Sequence, residues 1–258
     1  SERAYYEMVQ KGIGFYPIFH PEYPKELLQI DDPPLALYVK GRLPEPGKRK
    51  IGVIGARICS EYGRYMAREF GFGLAEYGID IISGLALGVD GISQKAALDA
   101  GGSTYAVLGS GVDVCYPEEN REIYDRISAT GGILSEFPPG TQPKPGHFPM
   151  RNRIISALSH AVLVIEARKK SGSLITADLA LEQGKDVFAV PGRATDCLSD
   201  GCNALLLQGA GIAVTPAQIV EELWGRQDTL QIEPQKEEEE DLPDLTKRIL
   251  EKVDITPK

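Results

Sequence analysis

Residues 51–60 read IGVIGARICS, and this stretch decides the fold. Ile51 to Gly55 is a short apolar strand without a polar face, closed by glycine. A helix-period segment follows from about Ser60 to Glu76. A strand apolar on both faces that passes directly into a helix belongs to a parallel sheet covered on both sides. The same rhythm repeats outward. Ile79–Ile82, Thr104–Leu108, Ile133–Ser135, Ala161–Ile165, Asp186–Val190 and Ile212–Val214 read as strands. Helices are expected over Val89–Ala100, Glu118–Ser128, Leu174–Gln183 and Pro216–Trp224, with another starting near Met150. Right-handed crossovers make this an α/β protein with a doubly wound, mostly parallel sheet.

The flanks differ in character. Residues 1–48 are rich in proline and hold one clear strand, Leu35–Val39, so they read as an irregular N-terminal arm and lead-in packed on the body. Residues 49–224 form the main domain. Residues 225–244 carry the acidic run Glu237–Asp241 beside Pro234 and Pro243, the composition of a solvated linker. Residues 245–258 restart a helical pattern, as the opening of a truncated small C-terminal domain.

The chain has 258 residues, 42% of them apolar, enough for an ordinary core. Its apolar runs are too short to span a bilayer, and it begins without a signal-peptide core. The four cysteines are scattered and the three histidines isolated, which argues against both a disulfide scaffold and a zinc set. The expectation is a cytoplasmic protein with reduced thiols, no metal and no membrane contact.

In a doubly wound sheet, ligands gather outside the carboxyl ends of the strands. The joints there read Gly55–Ser60, Ser83–Gly88, Gly109–Gly111, Glu166–Ser173 and Pro191–Arg193. Glycine lets a ligand approach the backbone, and helix N-termini offer free N–H groups to an anion. Neither a G-x-G-x-x-G turn, a Walker loop nor a G-x-S-x-G elbow is present, which disfavours a dinucleotide site, a P-loop NTPase and an α/β-hydrolase. The segment Thr141–Ser159, TQPKPGHFPMRNRIISALS, is a proline loop passing into a helix, with Lys144, Arg151 and Arg153 and an aromatic, Phe148. Cations that hold phosphates around a ring that stacks on a base are the needs of single-stranded nucleic acid. Structural roles are the alternatives: Arg151 paired with Glu136 or Glu166, Asn152 tying the loop, Phe148 anchoring it, Lys144 solvated.

The formal charge of −9 argues, at first sight, against a nucleic-acid partner. Its distribution reverses this. Residues 141–173 hold six basic residues and one acidic one, net +5, whereas residues 225–258 hold six basic and ten acidic. A globally acidic protein with one basic mouth can still concentrate a strand there.

The ordered motifs resemble the DNA-processing protein A family, also called DprA or Smf. They are Gly55-Ala56-Arg57-x-x-Ser60, Ser83-Gly84-Leu85-Ala86-x-Gly88-Val89-Asp90, Gly109-x-Gly111-x-Asp113-x-x-Tyr116-Pro117 and Phe148-Pro149-x-Arg151-Asn152-Arg153. Glu166-Ala167, Ser171-Gly172-Ser173-Leu174-Ile175-Thr176 and Gly201-Cys202-Asn203 continue the series. The resemblance implies an extended Rossmann-like fold and a homodimer that binds single-stranded DNA, protects it and loads RecA recombinase onto it in natural transformation. It implies no enzyme activity and no cofactor, and a winged-helix-like identity for the C-terminal segment. Carried over by motif, the DNA-binding residues are Arg57, Ser60, Gly84, Gly109, Lys144, Phe148, Arg151, Asn152, Arg153, Gly172, Ser173 and Thr176. Two positions depart from the family pattern: Ala56 replaces a hydroxyl residue, and Gln94 stands where histidine is frequent. Ile219, Leu223 and Trp224 are candidates for the dimer surface, although helix amphipathicity alone places them in the core.

A different class of function is the alternative. The fold also resembles nucleoside-monophosphate phosphoribohydrolases of the "lonely guy" family, which carry a catalytic Glu in a P-G-G-x-G-T-x-x-E loop. The equivalent segment here lacks that Glu and has Asp178 nearby.

Overall fold

The computed structural model describes residues 8–225. The expected acidic linker beyond Gly225 and the C-terminal helical segment lie outside the described residues. Nine strands form one sheet: β1 (Ile13–Pro17), β2 (Ala36–Gly41), β3 (Lys50–Ile54), β4 (Asp80–Ser83), β5 (Thr104–Val107), β6 (Gly132–Ser135), β7 (Ala161–Val164), β8 (Asp186–Ala189) and β9 (Gly211–Ile212). Between residues 61 and 224 seven α-helices cover it: α1 (Glu61–Glu76), α2 (Val89–Asp99), α3 (Arg121–Thr130), α4 (His147–Leu158), α5 (Gly172–Glu182), α6 (Asp200–Leu207) and α7 (Pro216–Trp224). The strand order is β1-β2-β6-β5-β4-β3-β7-β8-β9, with β3 to β9 all parallel.

Burial on both faces follows from the strand sequences. All five residues of β3 are buried. Ile51 and Val53 pack with Phe70 and Leu74 of α1, while Ile54 packs with Ile155 and Leu158 of α4 on the opposite face. β7 alternates likewise, with Leu163 on the α1 side and Val162 and Val164 on the α4 side. The period of two therefore feeds two cores through one sheet. Gly71 lets α1 and α2 approach closely: a Cβ there would lie 2.8 Å from the Ser93 Cα.

The sheet grows in two directions from β3. The chain runs outward through β4, β5 and β6, then restarts at β7 on the other side of β3. Loops leaving β3 and β7 diverge, and a crevice opens between them.

The structure differs from the sequence reading in the lead-in and in one helix of the main domain. The lead-in supplies two strands rather than one, because β2 pairs antiparallel with β6 and β1 pairs antiparallel with β2. β2 carries an alternating buried pair, Leu37 and Val39, whereas only Ile13 of β1 is buried and the strand ends at Pro17. That is the weak pattern of an edge strand. Helix α6 lies where no helix was expected. It braces the loop after β7, since the Gly201 N–H donates to the Ala167 carbonyl at 2.7 Å.

A buried lysine ties the lead-in to the sheet. Lys50 opens β3 with a side chain only 2% exposed, and its Nζ lies 2.8 Å from Glu26 Oε1 in the short 3-10 turn Lys25–Gln29. Burial alone would raise the Glu26 carboxyl. The hydrogen bond and charge of Lys50 outweigh it and hold the group below its ordinary value of 4.5. A depressed carboxyl stabilises the fold above its unfolded pKa, and that contribution is lost as pH falls through the folded value. Lys50→Met is therefore expected to cost about 2 kcal/mol at pH 7. Denaturant unfolding at stepped pH checks this: wild type and variant should converge as pH falls below about 4.5, and a gap independent of pH would refute the pairing.

Candidate nucleic-acid interface

The crevice between the β3 and β7 loops is an open cleft of about 700 Å³. Six segments build it: the loop after β3, the start of α2, the loop after β5 through Tyr116, the proline loop leading into α4, the loop leading into α5, and Leu198 before α6. Its lining carries Arg57, Arg151, Arg168 and Lys170 against a single carboxylate, Asp90.

These four cations are not equivalent. Arg151 is 5% exposed and lies beneath the floor. Its Nη1 donates to the Val107 carbonyl, its Nε donates to Asn152 Oδ1 at 3.0 Å, and Asp90 faces it. Burial lowers the Arg151 pKa to about 10, opposed by Asp90 and assisted by the Arg57 charge, so the group is a cation at neutral pH. Burial likewise pushes the Asp90 carboxyl up, with Arg151 and the Gly84 N–H acting against it. Gly84 lets the Arg151 guanidinium lie against the backbone, because a Cβ there would displace it. Arg57, by contrast, is exposed and has no ion-pair partner among the described residues. Its guanidinium lies 5.2 Å from the Phe148 ring centroid. Arg168 and Lys170 are also exposed and unpaired there.

Phe148 is the centre of an aromatic ledge. Tyr116 stacks on it with centroids 5.7 Å apart and an interplanar angle of 29°, and Tyr116 is itself 45% exposed. Gly109 lies against the same ring, where an added Cβ would be 3.0 Å from Phe148 Cδ1. His147 fixes the start of α4, with Nδ1 2.9 Å from the Gly109 carbonyl and its ring stacked on Phe137.

Helices α1 and α5 both begin at this cleft, and an acid closes only the first. At α1, Ser60 caps the helix by accepting from the Gly63 N–H at 3.0 Å, and the Glu166 carboxylate accepts from both the Ser60 N–H and its hydroxyl. An internal anion already occupies that terminus. At α5, Ser171 is the cap, Gly172 has open space where a Cβ would be, and Ser173 and Thr176 line the cleft. Ser171 Oγ takes the Ser173 N–H at 3.4 Å and the Ser171 carbonyl takes the Leu174 N–H at 3.1 Å, which leaves the Gly172 N–H, with Lys170 two residues before it, to suit a phosphate.

The cleft therefore gathers Arg57, Phe148, Arg151, Asn152, Gly172, Ser173 and Thr176 from the sequence candidates, and Gly84 and Gly109 lie beneath two of them. Three candidates are placed differently. Ser60 is consumed by its cap and by Glu166. Arg153 points away from the cleft, making a two-bond pair with Glu136 at 2.6 and 2.8 Å and reaching Asp32. Lys144 is exposed on the proline loop outside the lining. Of the two acids considered for Arg151, Glu136 pairs with Arg153 and Glu166 bonds Ser60. Tyr116, Arg168, Lys170 and Ser171 were not among the residue candidates. The charge count and the Tyr116-Pro117 motif were the signals that could have found them. Of the proposed dimer residues, Ile219 is fully buried in the core, with Leu223 and Trp224 packed against the same cluster. Gln94 is also internal, accepting from the Leu85 N–H and donating to Thr104 and Tyr105. Among the described residues no cluster suits a metal ion, and no helix is long and apolar enough to cross a membrane.

Comparison with known proteins places the chain. The family model for DNA recombination-mediator protein A matches residues 14–224. DNA processing protein DprA of Bacillus subtilis is 44% identical over 215 residues, covering 83% of this chain and 72% of that protein. The structure of DNA processing protein A from Streptococcus pneumoniae superimposes with a TM-score of 0.79 at 41% identity, over 84% of this chain and 77% of that one. The Helicobacter pylori protein, solved for its single-stranded DNA binding mode, superimposes with a TM-score of 0.73 at 32% identity, over 82% of this chain and 95% of that one. A family model that matches most of the chain, with relatives above 40% identity over most of both lengths, shows that the chain belongs to the DNA recombination-mediator protein A family.

Proposed function

We propose that the cleft binds single-stranded DNA and that the chain, as a cytoplasmic homodimer, protects incoming DNA and hands it to a RecA-type recombinase during natural transformation, breaking no bond. The observation that carries the DNA reading is the combination of Arg57, Arg168 and Lys170, unpaired among the described residues, with the acid-free start of α5 and the Phe148–Tyr116 ledge. Phosphates meet the cations and the Gly172 N–H, and a base lies along the ledge. A duplex keeps its bases stacked inside and cannot use the ledge. Lys144, on the loop above, is proposed as a further phosphate contact. The recombinase and the competence role rest on the family resemblance. The lack of catalysis is supported by the carboxylates: Asp90 is buried facing Arg151, Glu166 is bonded to Ser60, and Asp178 lies in a neighbouring trough.

Fluorescence anisotropy of a labelled single strand of about 20–40 nucleotides, titrated at several salt concentrations, tests this reading. Binding should weaken steeply with salt and be weaker for duplex. Arg57→Glu should remove most binding without lowering thermal stability, and Phe148→Ala should cost about 1–3 kcal/mol. No binding at low salt, or an unaffected Arg57→Glu, would sink the proposal.

The buried position of Ile219 moves the proposed dimer surface outward. Beside β9, the outer edge strand, Leu207 is 91% exposed, Val214 57% and Ile212 51%. An apolar patch at an open sheet edge is suited to a second copy. Leu207→Arg is expected to convert dimer to monomer in light scattering while leaving the fold intact. A monomeric wild type, or a dimeric variant, would refute this surface.

A further inference from the structure

We propose that Glu166 is the positioning residue of the cleft: it holds the Arg57 loop in the geometry in which Arg57 meets the strand. The inference rests on the reading of the cleft as a single-stranded DNA site.

Glu166 follows β7 and is 1% exposed. It grips the loop after β3 at two places that flank Arg57. Its backbone carbonyl accepts from the Ala56 N–H at 2.7 Å. Its carboxylate accepts from the Ser60 N–H at 2.8 Å and from the Ser60 hydroxyl at 2.6 Å. The far side of the loop is fixed as well, since the Ala56 carbonyl accepts from the Val89 N–H at 3.2 Å. Arg57 is thus suspended between two anchors that converge on one residue of the opposite lip. Glu166 also lies two residues before Arg168, so the same side chain couples both cationic loops across the crevice.

The first turn of α1 is built to admit this carboxylate. A Cβ at Gly63 would lie 2.6 Å from Glu166 Oε2, so any larger residue there must displace the carboxylate. No cation among the described residues pairs with Glu166. Its charge is met by hydrogen-bond donors and the positive end of α1. A buried acid below a cationic cleft opposes anion binding by simple Coulomb repulsion. Positioning and repulsion therefore predict opposite signs when the charge is removed.

The test is strand binding by the full chain at one fixed moderate salt concentration. Glu166→Gln removes the charge and one acceptor. If Glu166 positions Arg57, affinity falls about 10-fold, the scale of one charge-assisted hydrogen bond. If it acts only as a nearby negative charge, affinity rises. Gly63→Ala keeps the charge and displaces the carboxylate, so it should weaken binding too, with the charge-only account expecting no change. Both losses should vanish in an Arg57→Ala background, which a general structural defect would not produce. Circular dichroism checks folding, and Ser60→Ala, which loosens the same grip from the other side, substitutes if Glu166→Gln does not fold. Equal or tighter binding by Glu166→Gln, or the same loss without Arg57, overturns the inference alone. Failure of the wild type to bind overturns the cleft reading and this inference with it.

Discussion

Strands β3 and β7 lie side by side, with Ile51 paired to Ala161, and the chain leaves them toward opposite edges of the sheet. Everything functional in the molecule depends on that divergence. Parallel pairing forces each strand into a crossover, and opposite directions of departure prevent the two following loops from packing on each other. Buried strands supply the rigidity. β3 is buried throughout, so the loops it carries are set by a core rather than by their own contacts. The crevice is a consequence of topology before any side chain is considered.

Within the crevice, what decides a cation's role is whether an acid already answers it. Arg153 is answered by Glu136 and Asp32 and serves the lead-in arm. Arg151 is answered by Asp90 and by a main-chain carbonyl, and it forms the charged floor. Arg57, Arg168 and Lys170 are left unanswered at the surface, where a phosphate can do so. The helix termini divide in the same way. The Glu166 carboxylate closes the N-terminus of α1, whereas α5 is capped by the neutral Ser171 and has no acid in its first turn. An acidic chain thus keeps one local positive field, and its net charge says little about its ligand.

The parallel core was legible because strands apolar on both faces have few other places to go, and the glycine joints marked which ends of those strands face a ligand. The lead-in was harder. β1 buries only Ile13, too little to distinguish an edge strand from a loop. Side-chain roles were least legible, since they turn on partners remote in sequence. Ser60 meets Glu166 across 106 residues, and Arg153 meets the Asp32 backbone across 121. Nothing local in Arg151-Asn152-Arg153 says that the first arginine points into a floor and the second away from it. Tyr116 illustrates the converse. Its motif was visible, but only the fold brings its ring onto Phe148.

The central claim is that one strand lies across one cleft, its bases on the aromatic ledge. Photo-cross-linking with an oligonucleotide carrying 5-iododeoxyuridine, followed by peptide mass spectrometry, tests it most directly, because the label reacts with aromatic rings in contact with the base. The account expects adducts on the peptides that carry Tyr116 and Phe148, lost on competition with unlabelled single strand. Adducts confined to the α3 face or to the β1 edge, with the ledge unmodified, would contradict it.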